Sequence, residues 1–298
     1  PNKNIEFKSL SNMQSQVWRI DTLEGKLLIA QRNGLFELID GQRKPLITHK
    51  GNIWDFATSA HYKEHLFLGG DSVYIVDKKR MKVERTFGLP IVNIRWFAFD
   101  NSGRLWISDV ETGIYRMQFA SDLQHVERID KFGEEQGLPS NELNYIWMLN
   151  GQITAATPKG LFIFDNEKDR FEPNRQINQL IGNVPVWFLE TDHAGGFYYI
   201  GNTTMGQVVK QNNRFIHKTV PYNRFPSHIA LSFYNYGDSL IFLGFPDKGV
   251  IINRKAIKNE APAFRPFIKN LMATFNGNHV DSIAVKTYGS NHPRIEIG

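Results

Sequence analysis

Residues 94–117 read IRWFAFDNSGRLWISDVETGIYRM, and this stretch decides the fold class. An apolar segment at 94–99 leads into a turn at 100–103, a second apolar segment follows at 105–108, and Gly113 opens a third. Aromatic and β-branched residues favour strands, and glycine permits the positive φ angles that reverse a chain in a tight turn. The stretch therefore predicts an antiparallel meander of short strands.

The same unit recurs along most of the chain. Its second strand begins with an apolar residue at six positions, spaced by 39, 39, 48, 44 and 43 residues: Leu27, Leu66, Leu105, Ile153, Phe197 and Leu240. A period of roughly 40–45 residues matches one four-stranded propeller blade, whose two faces are buried only when blades stack around an axis. The outermost strand is expected in the less regular stretch before the next unit, for instance at 125–129 or 214–219. We predict an all-β fold, a β-propeller of about six to seven four-stranded blades.

Helical folds are disfavoured by the same pattern. No long stretch carries apolar residues at helical spacing, and the connections between predicted strands are too short for the helices of a parallel α/β fold. The repeat stops after Pro262, so we place the propeller at 1–262 and a separate segment at 263–298.

Composition bounds the function. The 298 residues carry 35 Lys+Arg and 30 Asp+Glu, a net charge of +5, with 41% hydrophobic and 22% charged residues, which is typical of a globular protein. The absence of cysteine excludes disulfides, thiolate zinc sites and cysteine nucleophiles. The cations are dispersed, and the densest basic run, Lys78 to Lys82, falls in a predicted hairpin turn, so nucleic acid is not expected as a partner. No apolar run is long enough to span a bilayer. The chain begins at Pro1 without a leader, and we read it as part of a longer protein.

Catalytic and metal-binding patterns are weak. The sequence has no nucleophile elbow, phosphate-binding loop or dinucleotide fingerprint. His61 to His65 spells H-x-x-E-H, but zinc chemistry needs that pattern on a helix, and here it precedes the second strand of unit two. We predict a polar hairpin there. Asp100 and Asp192 recur at a turn and are expected to close Asx-turns. No catalytic residue, metal or cofactor is assigned.

Tryptophan gives the most informative pattern. Five of the six fall within the first strands of successive units: Trp18, Trp54, Trp96, Trp147 and Trp187. First strands line the channel of a propeller, so these indoles are candidates for stacking on sugar rings at one channel mouth. Arg19 and Arg95 stand beside them and can donate forked hydrogen bonds to hydroxyls or carboxylates. The alternative is that the indoles wedge between blades as ordinary core.

One further candidate lies between units five and six. His228, with Arg224 near it, becomes a ligand-binding candidate if it faces the channel. A solvated loop is the alternative.

The repeat resembles the two-component regulator propeller family. The resemblance rests on Gly88-Leu89-Pro90, Asp100-x-x-Gly103, Leu105-Trp106-Ile107 and Gly113-Ile114-Tyr115, and on the connector-like Gly137-Leu138-Pro139-Ser140-Asn141. It covers about residues 10–260. Unit two departs from the pattern by lacking the Asp-x-x-Gly turn, and unit four shortens this turn to Asn150-Gly151.

The resemblance implies a function. In that family the propeller is the periplasmic sensor region of hybrid histidine kinases, or of related membrane-tethered regulators, chiefly in Bacteroidetes, and many members respond to products of polysaccharide breakdown. It implies a non-catalytic sensor for an oligosaccharide, a homodimer formed through the propeller or the following domain, and a membrane anchor and a kinase or transcription output outside this chain. The segment 263–298 would be the beginning of a Y-Y-Y β-sandwich domain, or else strands of a partial blade.

Two other functions stay open. A propeller enzyme, such as a polysaccharide lyase or hydrolase, would need ionisable groups at the channel mouth, for which the inner strands offer Asp55 and Glu190. A protein-interaction scaffold would need no small ligand, and the fold alone does not separate these functions.

Overall fold

The structure, a computed structural model, describes residues 16–89, 94–192, 194–225, 232–236, 239–245 and 249–256, together with four short strands between 273 and 295. The chain divides into two compact units, Pro1–Ile257 and Lys258–Gly298.

Six antiparallel sheets, numbered here as blades 1 to 6, follow one another along the first unit. Blade 1 consists of β1 (Val17–Leu23), β2 (Lys26–Ile39) and β3 (Gln42–Asn52). Blade 2 consists of β4 (Asp55–Thr58), β5 (His65–Gly69), β6 (Ser72–Asp77) and β7 (Lys82–Gly88). Blade 3 consists of β8 (Trp96–Phe99), β9 (Leu105–Asp109), β10 (Gly113–Phe119) and β11 (Val126–Phe132).

Blade 4 consists of β12 (Tyr145–Leu149), β13 (Gln152–Thr157), β14 (Gly160–Asp165) and β15 (Arg170–Pro173). Blade 5 consists of β16 (Val186–Thr191), β17 (Phe197–Gly201), β18 (Met205–Gln211) and β19 (Arg214–Lys218). Blade 6 consists of β20 (Ser232–Tyr236), β21 (Leu240–Gly244) and β22 (Gly249–Asn253). Each strand pairs with the next along the chain, so the predicted six-unit meander is confirmed.

In blades 2 to 5 the second strand is buried on both faces, which explains its nearly continuous apolar sequence. In β5, Leu66 and Leu68 pack into the seam with blade 1, whereas Phe67 points into the seam with blade 3. In β9, Leu105 faces blade 2 and Trp106 faces blade 4. Five apolar clusters fill the five seams between consecutive blades. The blades therefore stack face to face, as the repeat period predicts.

Backbone hydrogen bonds reinforce the first three seams. The amide just before a blade's first strand donates to a carbonyl at the end of the previous blade's second strand. The pairs are Ile53 N to Gln31 O (3.1 Å), Ile94 N to Gly70 O (3.1 Å) and Leu143 N to Val110 O (2.7 Å). Each first strand is thereby held against the blade that precedes it.

A second set of hydrogen bonds links the turns between first and second strands. His61 Nε2 lies 2.8 Å from Asn101 O, Asn101 Nδ2 donates to Gly151 O (3.0 Å), and Asn150 Nδ2 donates to Gly195 O (3.0 Å). We call this set the turn belt. It joins blades 2 to 5 at the end of the molecule opposite to the starts of the first strands.

Blade 1 departs from the four-strand pattern. Its long strand β2 pairs with β1 up to Gln31 and with β3 from Arg32 onward, so it supplies both the second and the third predicted strand. The change of partner occurs beside Gly34, whose φ is +137°, and a Cβ there would lie 1.9 Å from the carbonyl oxygen of Ile47. Only glycine fits this close approach.

One α-helix, α1 (Arg175–Ile181), lies between blades 4 and 5 and was not predicted. Asn174 caps its first turn by accepting the Ile177 amide at 3.2 Å. Asn178 is buried and bonds both backbone groups of Leu161, so the helix covers part of β14. Seven residues are too few for a helical period to stand out in the sequence.

In the second unit the structure describes four short strands: β23 (Ala273–Phe275), β24 (Asn278–Val280), β25 (Val285–Tyr288) and β26 (His292–Ile295). They form two antiparallel pairs, β23 with β24 and β25 with β26. The β-sandwich assignment and the boundary at Pro262 stay predictions. Within the part of the chain that is described, no helix is long and apolar enough to cross a membrane.

Candidate functional site: a channel mouth

The first strands form the inner wall of the propeller. Each of β1, β4, β8, β12 and β16 contacts the first strand of the next blade, which for β16 is β20. Arg19 of blade 1 also lies close enough to Glu190 of blade 5 to lower the pKa of that carboxyl group, which partly offsets the effect of its burial. Side chains on these strands therefore meet around a shared channel.

Five side chains gather where the first strands begin: Trp18, Trp54, Arg95, Trp96 and Tyr145. We call them the mouth group. The rings of Trp18 and Trp54 have centroids 4.1 Å apart, and the Arg95 guanidinium carbon lies 4.6 Å from the Trp54 centroid. Trp96 meets Tyr145 edge to face at 4.8 Å. All five residues are half-buried, so each retains surface that a ligand can contact.

Arg95 connects the two aromatic pairs. It stacks on Trp54, and its charge acts on the Tyr145 hydroxyl, whose pKa is raised by burial and partly lowered again by Arg95. Trp18 adds a polar feature, because its indole nitrogen is buried without an acceptor among the described residues. Buried donors without partners are uncommon, and the indole nitrogen of Trp147 is another one among the described residues.

Trp147 and Trp187 occupy a different environment. Trp147 packs on Phe188 at 5.0 Å, and Trp187 meets the same ring at 5.8 Å. Both indoles also pack against the apolar clusters of the seams flanking blade 5. Trp96 packs against the seam between blades 3 and 4 as well. The predicted ring of five indoles is thus split, and ligand contact by any of them stays a prediction.

Deeper in the channel, Arg19 holds two carboxylates. Its Nη2 donates to Asp21 at 2.6 Å, and its Nε lies 3.7 Å from Asp55. Asp55 is buried and accepts the amides of Phe56 (2.8 Å) and Phe97 (3.2 Å), the latter from the next blade. Asp55 is therefore tied into the seam between blades 2 and 3.

Burial dominates the ionisation of the two channel carboxyl groups. It raises the pKa of Asp55 to about 6 and that of Glu190 to about 7, while the attraction of Arg19 opposes both shifts. At neutral pH a substantial fraction of Glu190 is consequently protonated.

The remaining sequence candidates have structural roles. His61 to Glu64 connect β4 and β5, so the predicted hairpin is confirmed. His65 begins β5, and its side chain bonds Glu84 (3.2 Å), whereas the side chain of His61 bonds Asn101. No cluster of three metal-ligating side chains occurs in the part of the chain that the structure describes.

The two recurring aspartates close Asx-turns, as predicted. Asp100 accepts the amides of Ser102 and Arg104, and Asp192 accepts those of Ala194 and Gly196.

His228 lies outside the described residues. The backbone of Arg224 ends a short 3-10 helix, Tyr222–Arg224.

Sequence reasoning missed Tyr145, although register could have found it. Trp96 pairs with Ser108 and Tyr145 pairs with Ala156, which are equivalent positions of two second strands. Tyr145 is thus the counterpart of Trp96 in the next blade. A count restricted to tryptophan instead selected Trp147, two residues further along β12.

Six stacked meanders around a channel with an aromatic mouth define a six-bladed β-propeller. No family model matches the chain, and neither does any curated protein. Solved structures do match. The extracellular domain of BT4673, assigned to a hybrid two-component system of B. thetaiotaomicron, superposes with a TM-score of 0.61 at 17% identity over 84% of this chain and 33% of its own. The corresponding domain of BT3049 gives 0.58 at 20% identity over 78% of this chain and 33% of its own.

A third propeller shows how widely the fold is shared. PorZ, a component of the type IX secretion system of Porphyromonas gingivalis, gives a TM-score of 0.53 at 14% identity over 80% of this chain and 38% of its own. This chain therefore spans about a third of the length of these three structural neighbours. Identities of this size establish the fold, and at that level the resemblance to two-component regulator propellers is confirmed.

Proposed function

We propose that this chain is a non-catalytic, extracytoplasmic sensor module of a hybrid two-component protein and that it binds an oligosaccharide at the mouth group. The observation that carries the proposal is the close contact of the tilted Trp18 and Trp54 rings, with Arg95 over Trp54, at the channel mouth. Half-buried indoles offer flat apolar faces to the C–H faces of sugar rings, and the guanidinium offers hydrogen-bond donors to sugar oxygens.

The fold of the neighbours supports the sensor role. The two B. thetaiotaomicron propellers are extracellular domains of such systems, which makes an extracytoplasmic, periplasmic location the natural expectation for this chain. The kinase or transcription output and the membrane anchor would lie outside it. Binding would produce a signal only if the ligand favours one of two arrangements of a dimer, because a ligand of equal affinity for both shifts nothing.

One of the two channel carboxyl groups, Asp55, argues against catalysis. Asp55 accepts two backbone amides and faces Arg19, so its oxygens are engaged in holding the seam. A general acid and base need to reach a substrate within hydrogen-bond distance, and Asp55 is almost fully buried. We therefore rank the propeller enzyme below the sensor.

Calorimetry with a panel of neutral and acidic oligosaccharides tests the proposal. We expect saturable binding that Trp54→Ala weakens by about tenfold or more, since a stacked aromatic contributes on the order of 1–3 kcal/mol. Tyr62→Ala is the matched control, because that ring is also half-buried but lies in the turn between β4 and β5, away from the mouth group; it should leave the affinity unchanged.

Three outcomes would contradict the proposal. Full affinity in Trp54→Ala would remove the mouth group as the site. Turnover of any glycan would establish an enzyme instead. Self-association without response to any glycan would favour a scaffold.

A further inference from the structure

Arg95 differs from the other arginines that approach aromatic rings or line the channel. Arg19 is paired with Asp21 and Asp55, and Arg116 is paired with Asp130 and Asp169. Arg95 is half-buried over the Trp54 ring, yet it makes no hydrogen bond and no ion pair with any residue that the structure describes. Its charge is balanced by nothing in the described part of the site.

The surroundings of Arg95 constrain what can balance it. The guanidinium carbon of Arg95 lies 4.6 Å from the Trp54 ring centroid, and no described residue accepts a hydrogen bond from its N–H groups. A carboxylate or sulfate accepts two such N–H groups at once, and this forked pair is stronger than hydrogen bonds to a neutral hydroxyl. Partial burial strengthens the preference, because an arginine shielded from water interacts more strongly with an anion.

The rest of the mouth group fits a sugar around that anion. Trp18 and Trp54 form one aromatic pair, and Trp96 and Tyr145 form another. Arg95 lies over the Trp54 ring of the first pair and acts electrostatically on the Tyr145 hydroxyl of the second. Arg95 is the sole charged member of this group, since the pKa of Tyr145 is raised and its hydroxyl stays neutral. The group therefore presents one positive charge between apolar faces.

We propose that the mouth group recognises an acidic glycan and that Arg95 binds the carboxylate or sulfate of one sugar unit. This inference rests on the proposed function and sharpens it, because it names the chemical class of the ligand. The anion could belong to a uronate or to a sulfated sugar, which supply the same chemistry to Arg95.

Calorimetry with matched pairs of probes tests this inference. One arm compares tri-galacturonate with its methyl ester, and the other compares a sulfated chondroitin disaccharide with its desulfated counterpart. We expect the charged member of at least one pair to bind about tenfold or more tightly than its neutral counterpart, and the affinity to fall as salt rises. The arm that responds distinguishes uronate from sulfate.

Variants of Arg95 assign the effect to this residue. Arg95→Gln should lose that preference, and Arg95→Lys should retain part of it, because lysine keeps the charge but not the fork. Arg85→Gln is the matched control: Arg85 is an exposed arginine on β7, away from the mouth, and its substitution should change nothing. Melting curves of all variants check that they are folded.

The outcomes separate this inference from the proposed function. Glycans that bind through Trp54 with equal affinity in neutral and charged form would overturn the acidic ligand and leave the sensor intact. An unchanged charge preference in Arg95→Gln would also overturn it. Binding of no glycan of either kind would overturn both.

Discussion

Arg116 and Arg95 both lie over aromatic rings, and their surroundings differ in one respect. Arg116 is 5% exposed, with its guanidinium carbon 5.0 Å from the Phe132 centroid and 5.4 Å from that of Trp106. Asp130 and Asp169 bind its nitrogens. Arg95 has the aromatic ring but no carboxylate in the described structure. A guanidinium over an aromatic ring thus links two blades at Arg116, whereas at Arg95 it leaves a positive charge available for a ligand.

The difference lies in how completely each charge is satisfied within the protein. Arg116 comes from β10 of blade 3, and Asp169 comes from the turn between β14 and β15 of blade 4, so the pair crosses a seam. A buried charge is tolerated only when it is paired and hydrogen-bonded. Arg95 lies at the channel mouth, where water or a ligand can supply the hydrogen-bond acceptors that Asp130 and Asp169 supply to Arg116.

The largest effect is expected at Arg116. Arg116→Met should lower the free energy of unfolding by about 3 kcal/mol, because it leaves Asp130 without its main partner and removes the link between blades 3 and 4. Urea unfolding followed by tryptophan fluorescence measures this loss, and glycan affinity should not change in the folded variant.

Arg128→Ala is the control for Arg116. Arg128 also bonds Asp130, but it is exposed, and its loss should cost less than about 1 kcal/mol. Equal losses in the two variants would show that burial does not distinguish the seam from the surface.

The same contrast decides how far the sequence could predict the molecule. The blade period was predictable because second strands such as β5 and β9 are buried on both faces and repeat as apolar runs. The pairing of Arg116 with Asp169 was not, because it depends on how two blades meet, 53 residues apart in the chain.

The candidate site was predictable in part. The indoles of Trp18, Trp54 and Trp96 were found from their place in the first strands. Register irregularities in β1 and β16 shift the side chains locally, so a residue count could not show which indoles would meet. Tyr145 was missed for a different reason: it takes in β12 the register position of Trp96 in β8, and a search restricted to tryptophan passed over it.

A smaller effect is expected at Glu190, a carboxyl group in the channel whose contribution to stability depends on pH. Glu190 has a pKa raised to about 7 by burial, so the folded state holds its proton at a pH where the unfolded state has released it. Its contribution to stability is present below its ordinary pKa and is lost as pH rises through about 7. Glu190→Gln should therefore increase the free energy of unfolding by roughly 2 kcal/mol at pH 8.5 and by under about 0.5 kcal/mol at pH 4.5.

Denaturant unfolding at the two pH values measures this difference, and Glu142→Gln, at an exposed glutamate, is the control. A gain of the same size at both pH values would mean that packing, and not ionisation, governs Glu190. Such a result would also weaken the comparison with Arg116, because it would remove the evidence that the channel buries a carboxyl group whose charge is not fully balanced by an ion pair.

The smallest effect is expected in the turn belt. Its several weak hydrogen bonds link the blades across different seams, whereas the ion pairs of Arg116 link the blades across one seam. Asn101→Ala removes one exposed side-chain bond to Gly151 and should lower the free energy of unfolding by about 0.5–1 kcal/mol. Ser102→Ala, at the neighbouring exposed residue, should have almost no effect, because its hydroxyl bonds no described residue.

A double variant, Asn101→Ala with Asn150→Ala, should lose the sum of the single losses, because the two bonds cross different seams. A loss well above that sum, measured by urea unfolding, would show that the belt acts cooperatively, and the seams would then be held as much by repeated surface bonds as by the buried pair at Arg116.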